Sequence, residues 1–65
     1  MLGEKLKKCR LEKGLTQGDV AAFLNIDRST YTKYETNNSE PSFATLRKIT
    51  NLFEVDYNYL LSEQE

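Results

Sequence analysis

The sequence predicts a compact all-α domain of five short helices. Apolar residues recur at three- and four-residue spacings along the chain, which is the periodicity of an amphipathic helix. Residues that start or stop helices stand at the ends of these apolar stretches. A length of 65 residues suffices for one small domain, so residues 1–65 are expected to fold as a single unit.

The first helix is predicted from about Leu2 to Lys13. Its inward-facing residues are Leu2, Leu6 and Cys9. Cys9 is expected to fill a small space in the core, because a redox role would need an exposed and activated thiolate. Gly14 suits the end of this helix, since glycine accepts the left-handed backbone found just after many helices.

Residues 16–36 contain the central feature, two short helices joined by a tight turn. The first of them has an apolar face made by Val20, Ala21 and Leu24. Thr16 and Asp19 resemble a capping box at its start, and Asn25, which tolerates a left-handed backbone, is placed to end it. Asp27 follows at once as a natural N-cap for the next helix. Two helices with so short a connection must cross at a large angle.

The second of these helices, about Arg28 to Thr36, has two different faces. Tyr31 and Tyr34 lie on the inner side. The other side is polar throughout and consists of Arg28, Ser29, Thr32 and Lys33. A polar helix face is ordinarily a solvated surface. On the second helix of a tight helix-turn-helix, a face of Arg, Ser, Thr and Lys is also what reading the DNA major groove requires.

Two charged residues fall at inward-facing positions. Arg10 lies four residues after Leu6 in helix one, and Glu35 lies four residues after Tyr31. Because a lone charge is costly to bury, the simplest arrangement pairs Arg10 with Glu35. The alternative is that both side chains extend to solvent.

The C-terminal part is predicted to form two more helices after a loop that Pro41 closes. Ser42 is a plausible N-cap for a helix from about Phe43 to Phe53, whose core face is Phe43, Leu46, Ile49 and Phe53. Asp56 caps a last helix from about Tyr57 to Ser62. This helix has more apolar residues than one short element can bury. The remainder are candidates for a dimer surface, in particular Tyr57, Tyr59 and Leu60.

The composition excludes several kinds of site. With one Cys and no His, the chain forms neither an internal disulfide nor a zinc site built from Cys and His. No nucleophile, base and orienting group stand together, so we predict no enzyme activity, metal or cofactor. The longest apolar run, residues 20–24, is too short to cross a membrane, and the N-terminus has no signal-peptide core. A reducing cytoplasm is the expected location, and no small-molecule ligand is indicated.

Charge is distributed unevenly along the chain. The net charge is −1, which by itself argues against DNA binding. Residues 1–13 hold five basic and two acidic side chains, whereas residues 40–65 hold two basic and five acidic ones. The acidic end would face away from DNA. We expect modest non-specific affinity with a shallow salt dependence, because few phosphates can be neutralised.

The ordered set of motifs resembles the Cro and phage-repressor family of helix-turn-helix regulators, also called the XRE family. The matching segments are Leu15-Thr16-Gln17, Val20-Ala21, Asn25-Ile26, residues 29–35, Glu40-Pro41-Ser42, Leu46, Ile49 and Leu60-Leu61. The resemblance covers nearly the whole chain and implies a five-helix repressor-like DNA-binding fold, with the helix-turn-helix at helices two and three. It also implies the pairing of Arg10 with Glu35, and dimerisation near the C-terminal end.

The sequence departs from the family pattern in two respects. The family usually has Gly where Asn25 and Asn37 stand, and Asn can adopt the same backbone. The loop after the recognition helix is often basic in the family, but here it is Asn37-Asn38-Ser39. We include Asn37 and Asn38 among the candidate DNA contacts, although they carry no charge.

Each remaining candidate contact has an expected role on double-stranded DNA. Gln17, with the N-terminus of its helix, would hold a phosphate. Asp27 is mainly an N-cap, although its carboxylate can also accept from a cytosine N4, while Arg28 would read a guanine. The three remaining contacts would reach a base edge, a thymine methyl or the backbone: Ser29, Thr32 and Lys33.

One short helix reads only a few base pairs, so useful specificity implies a homodimer on a palindromic operator. Its recognition helices would lie about 34 Å apart, on half-sites about 10 base pairs centre to centre. Repression by steric exclusion of polymerase is the simplest consequence. The competing hypothesis is a protein-interaction module, such as an antitoxin that neutralises a partner.

Overall fold

The computed structural model describes residues 1–62 and contains five α-helices in that part of the chain. The all-α fold class that the sequence predicts is therefore confirmed. None of the helices in the described part has the length and hydropathy needed to cross a bilayer. The helices are α1 (Leu2–Glu12), α2 (Gln17–Leu24), α3 (Arg28–Glu35), α4 (Phe43–Phe53) and α5 (Tyr57–Leu61).

Local capping fixes where the central helices begin and end. The Asp19 amide donates to Thr16 Oγ1 at 3.0 Å, and the Thr16 amide donates to Asp19 Oδ2 at 2.9 Å, which completes the predicted capping box of α2. Asn25 ends α2 in the left-handed conformation, with φ of 61°, and Gly14 after α1 has φ of 72°. Helix boundaries therefore agree with the sequence prediction to within one residue.

The core lies where α1, α2, α3, α4 and α5 converge. Five side chains are completely buried in it: Leu6, Val20, Tyr31, Ile49 and Leu60. Leu60 is thereby excluded as a dimer contact, and that prediction is wrong. Helix α5 has one turn facing α1, and Leu60 occupies the inward position of that turn, which helical spacing within so short a segment does not reveal.

Phe43 is the second correction. The sequence places it on the core face of α4, but 68% of its surface is exposed. Phe43 is the first residue of α4, and at this end of the helix the side chain lies at the surface rather than in the core. Its ring instead stacks on Tyr57, with centroids 5.3 Å apart and planes at 17°. Tyr57 is consequently half-buried.

Two residues of α1 contribute packing that the sequence prediction missed. Gly3 lies so close to α3 that a Cβ atom there would press on the carbonyl of Glu35 and lie 2.8 Å from the Tyr34 oxygen. Lys5 is buried, and its Nζ donates to the carbonyls of Tyr59 at 2.9 Å and Ser62 at 2.8 Å, at the end of α5. The available signal for Lys5 was its position three residues after Leu2, on the inner stripe.

Candidate nucleic-acid interface

The outer face of α3 is the candidate reading surface. Arg28, Ser29 and Lys33 are exposed on it, and Thr32 is half-buried at the edge nearest α2. On the opposite side Tyr31 and Tyr34 are buried with their rings edge to face, 6.2 Å apart. The helix thus presents polar side chains outward while aromatic packing fixes its other face.

A buried ion pair joins α1 to α3. Arg10 Nε donates to Glu35 Oε2 at 2.7 Å and Arg10 Nη2 donates to Glu35 Oε1 at 3.3 Å. The third donating group, Nη1, bonds the carbonyl of Leu15 at 2.9 Å. Both side chains are almost fully buried, with 10% of Arg10 and 3% of Glu35 exposed. These are the two residues that the sequence pairs, and the alternative of two solvent-exposed charges does not describe this structure.

The pair shifts the pKa of each partner in the direction that favours charge. The hydrogen bond to Glu35 raises the pKa of Arg10. Burial alone would raise the pKa of Glu35, but hydrogen bonds led by those from Arg10 outweigh it and leave the pKa of Glu35 lowered. Both groups are therefore ionised at neutral pH, as a buried pair requires.

Tyr31 lies beside this ion pair. Burial raises its pKa well above the ordinary value, and the negative charge of Glu35 adds to the effect. Among residues 1–62 its hydroxyl makes no hydrogen bond of regular geometry, although it is near enough for the charges of Glu35 and Arg10 to act on it. The phenol is therefore a neutral part of the core.

Gln17 has a role that the sequence prediction missed. Its Nε2 donates to Glu35 Oε1 at 3.1 Å, and its Oε1 accepts from Thr32 Oγ1 at 2.8 Å. The side chain therefore spans one turn of α3 and connects the buried ion pair to the edge of the outer face. An amide nitrogen carries two hydrogens, so one N–H of Gln17 remains beyond the bond to Glu35. The sequence signal for this contact is the position of Gln17 as the first residue of α2, the helix that precedes α3 in the helix-turn-helix.

A shallow hollow joins the start of α2 to the outer face of α3. It is lined by Arg10, Leu11, Gly14, Leu15, Thr16, Gln17, Gly18 and Arg28. Backbone N–H groups at a helix N-terminus favour an anion, and the Arg28 guanidinium at the rim adds a positive charge. The hollow therefore combines two features that favour an anion, a helix N-terminus and an arginine side chain.

The remaining candidate contacts differ in how the structure uses them. Asp27 occupies the N-cap position of α3, but its side chain makes no capping hydrogen bond and is exposed. The predicted capping bond is therefore absent. Asn37 has φ of 65° and its Oδ1 accepts from the Gly3 amide at 3.0 Å, so it ties the loop to α1. Asn38 is exposed and donates to Thr36 Oγ1 at 3.1 Å.

Three cations of residues 1–13 have partners within the protein. Arg10 is paired with Glu35, Lys5 bonds α5 carbonyls, and Lys13 Nζ lies 3.2 Å from Glu54 Oε2. The basic character of residues 1–13 is therefore smaller at the surface than in the sequence. Exposed Arg28 and Lys33 on α3 carry the charge of the reading surface itself.

A short, outwardly polar helix held across a tight turn defines a helix-turn-helix domain of the kind that places its second helix against DNA. A family model described as helix-turn-helix matches residues 6–60. The chain belongs to this family, of the XRE type, as its resemblance to Cro and phage repressors implies.

Relatives span prophage regulators, repressors and activators. The SPbeta prophage-derived uncharacterized HTH-type transcriptional regulator YonR of Bacillus subtilis is 48% identical over 61 residues, which cover 94% of this chain and 56% of YonR. The cryptic phage CTXphi transcriptional repressor RstR of Vibrio cholerae is 29% identical over 65 residues, which cover 100% of this chain and 59% of RstR. The transcriptional activator BcrR of Enterococcus faecalis is 36% identical over 62 residues, which cover 95% of this chain and 30% of BcrR.

The chain spans about half the length of the curated relatives it matches. No solved structure matches it with significance.

Proposed function

We propose that this protein binds double-stranded DNA sequence-specifically and regulates transcription. The observation that carries the proposal is the polar outer face of α3, held in place by the hydrogen bonds that Arg10 and Gln17 donate to Glu35. Rigid placement matters because hydrogen bonds to base edges depend on side-chain position. Membership in the helix-turn-helix family supports the same function, and the cytoplasm is where we expect it to act.

Side chains of α3 read the bases, and the start of α2 positions the protein on the DNA backbone. Arg28 reads a guanine through two parallel hydrogen bonds, and Lys33, five residues further along α3, reaches a second guanine or the backbone. Ser29 and the exposed carboxylate of Asp27 lie beside Arg28 at the start of the helix. The N-terminus of α2, with the remaining N–H of Gln17, holds a phosphate and sets the register.

A homodimer on a palindromic site gives this short helix useful specificity. Its recognition helices would lie about 34 Å apart. Since Leu60 is buried, the apolar groups left for a dimer contact near α5 are Tyr57, Tyr59 and their exposed neighbours Phe43 and Leu61. Bound at a promoter, such a dimer would repress by excluding polymerase.

The test is selection of bound duplexes from a random DNA pool at near-physiological salt. We expect enrichment of a two-fold-symmetric sequence whose half-sites are about 10 base pairs apart. Arg28→Ala should lower affinity by about 1–3 kcal/mol and relax one base position. Arg47→Ala, which removes an exposed arginine from α4, is the matched control and should leave the selected sequence unchanged. A wild-type pool without enrichment would overturn the proposed function and favour a protein partner instead.

A further inference from the structure

A chain of hydrogen bonds leads from the buried ion pair to the outer face of α3. It runs from the Glu35 carboxylate through the Gln17 amide to the Thr32 hydroxyl, with bonds of 3.1 and 2.8 Å. Thr32 is half-buried, one turn after Arg28 and next to exposed Lys33. This chain of hydrogen bonds therefore ends at the Thr32 hydroxyl, on the edge of the surface that would face DNA.

The chemistry of Glu35 fixes the direction of every bond in this chain. An ionised carboxylate only accepts hydrogen bonds, and Glu35 is held ionised by the adjacent Arg10 guanidinium. Gln17 must therefore turn its NH₂ group toward Glu35 and its carbonyl oxygen toward Thr32. An amide oxygen also only accepts, so the Thr32 hydroxyl has to donate to it. Because a hydroxyl carries one hydrogen, Thr32 has no proton left for DNA.

We infer that Thr32 is a specificity-determining residue that meets the base edge as a hydrogen-bond acceptor, and therefore selects an adenine or a cytosine. In the major groove the exocyclic amino groups of these bases are the donors, whereas guanine N7 and O6 and thymine O4 accept. Phosphate oxygens also accept, which removes the backbone as a hydrogen-bond partner of Thr32. This inference rests on the proposed function, since it concerns the same α3 surface on DNA.

The first experiment repeats the duplex selection with three variants beside the wild type. Thr32→Ala identifies the base position that Thr32 reads, as the position whose preference it alters. Thr30→Ala is the control, because it removes a threonine hydroxyl of the same helix that lies outside the Glu35–Gln17–Thr32 chain and outside the polar outer face, and it should leave that position unchanged. Gln17→Met removes the amide and frees the Thr32 proton. We expect adenine or cytosine at the position in the wild type, and added acceptance of guanine or thymine in Gln17→Met.

The second experiment measures the contact directly and depends on no change at Gln17. If adenine is selected, it is replaced by purine, which lacks the exocyclic amino group; if cytosine is selected, it is replaced by 2-pyrimidinone. We expect wild-type affinity to fall roughly 3- to 10-fold, the range for one neutral hydrogen bond. Thr32→Val, which keeps the shape but lacks the acceptor, should bind both duplexes equally.

The outcomes separate this inference from the proposed function. No enrichment by the wild type would overturn the proposed function itself. Enrichment of an operator that has guanine or thymine at the Thr32 position, or that Thr32→Ala leaves unaltered, would overturn only the inference. Equal wild-type binding of the duplexes with and without the amino group would do the same.

Discussion

At the scale of single residues, the buried Arg10–Glu35 pair should contribute strongly to the stability of the fold. Removing one partner leaves the other charge buried without compensation. We expect Arg10→Ala to lower the free energy of unfolding by about 3–5 kcal/mol, measured by urea denaturation followed by circular dichroism. Lys7→Ala, which truncates an exposed cation of the same helix, is the control and should change little. An unfolding midpoint unaffected by Arg10→Ala would contradict this account of the pair.

The close approach of α1 to α3 gives a second prediction, at Gly3. A methyl group there would press on backbone carbonyls of Glu35 and Tyr34, which cannot move aside as a flexible side chain would. Gly3→Ala should therefore destabilise the fold by about 1–3 kcal/mol.

Gly18→Ala provides the matched comparison for this substitution, because the nearest atom to a Cβ at Gly18 is Thr16 Oγ1 at 3.7 Å. Alanine there should raise stability by roughly 0.5–1 kcal/mol, since a helical glycine loses more backbone freedom on folding. Thermal unfolding of the two variants should give shifts of opposite sign. A Gly3→Ala variant that is as stable as the wild type or more stable would show that the contact with α3 is looser than the backbone positions indicate.

At the scale of elements, the turn between α2 and α3 depends on the left-handed backbone of Asn25. Its φ is 61°, a conformation that costs most residues roughly 1–2 kcal/mol. We expect Asn25→Ala to lower the free energy of unfolding by about that amount, whereas Asn25→Gly should be neutral or slightly stabilising. Chemical denaturation of both variants measures the difference. If alanine were tolerated as well as glycine, this backbone conformation would not be what sets the cost.

At the scale of the whole molecule, stability should depend on the ionisation of Glu35. Burial opposes that ionisation, but hydrogen bonds led by those from Arg10 prevail and lower the pKa of Glu35 in the folded state. Its contribution is then complete above the pKa of an unfolded glutamate, about 4.3. It is lost as the pH falls through the lower folded-state pKa, because protonation removes the charge that Arg10 pairs with.

Urea denaturation between pH 7 and pH 2 measures this contribution. The wild type should lose stability below about pH 4.3 more steeply than Glu35→Gln, which has no carboxyl group to protonate at that position. The exposed acidic groups common to both proteins, such as Glu4 and Glu12, cancel in the comparison. Parallel pH profiles would show that Glu35 is not the group responsible.

The sequence by itself determined the five helices, their limits and the polar face of α3. These features depend on neighbouring residues: apolar spacing sets which side chains share a face, and Thr16 with Asp19 or Asn25 sets where a helix starts or stops. The sequence also predicted the pairing of Arg10 with Glu35, because a buried charge needs a partner of opposite sign. The features that the sequence did not predict depend on which helix, distant in the sequence, packs over a given residue.

Only the tertiary structure decided that Leu60 is core, that Phe43 is exposed, and that Gly3 is closely approached by α3. It also decided that Gln17 spans from Glu35 to Thr32, since hydrogen-bond partners depend on distances between helices rather than on spacing within one. Helical periodicity specifies direction around an axis, but the position of each axis relative to its neighbours is fixed by packing. The hydrogen-bond direction inferred for Thr32 needs both that packing, which brings Glu35, Gln17 and Thr32 together, and the acceptor chemistry of the Glu35 carboxylate.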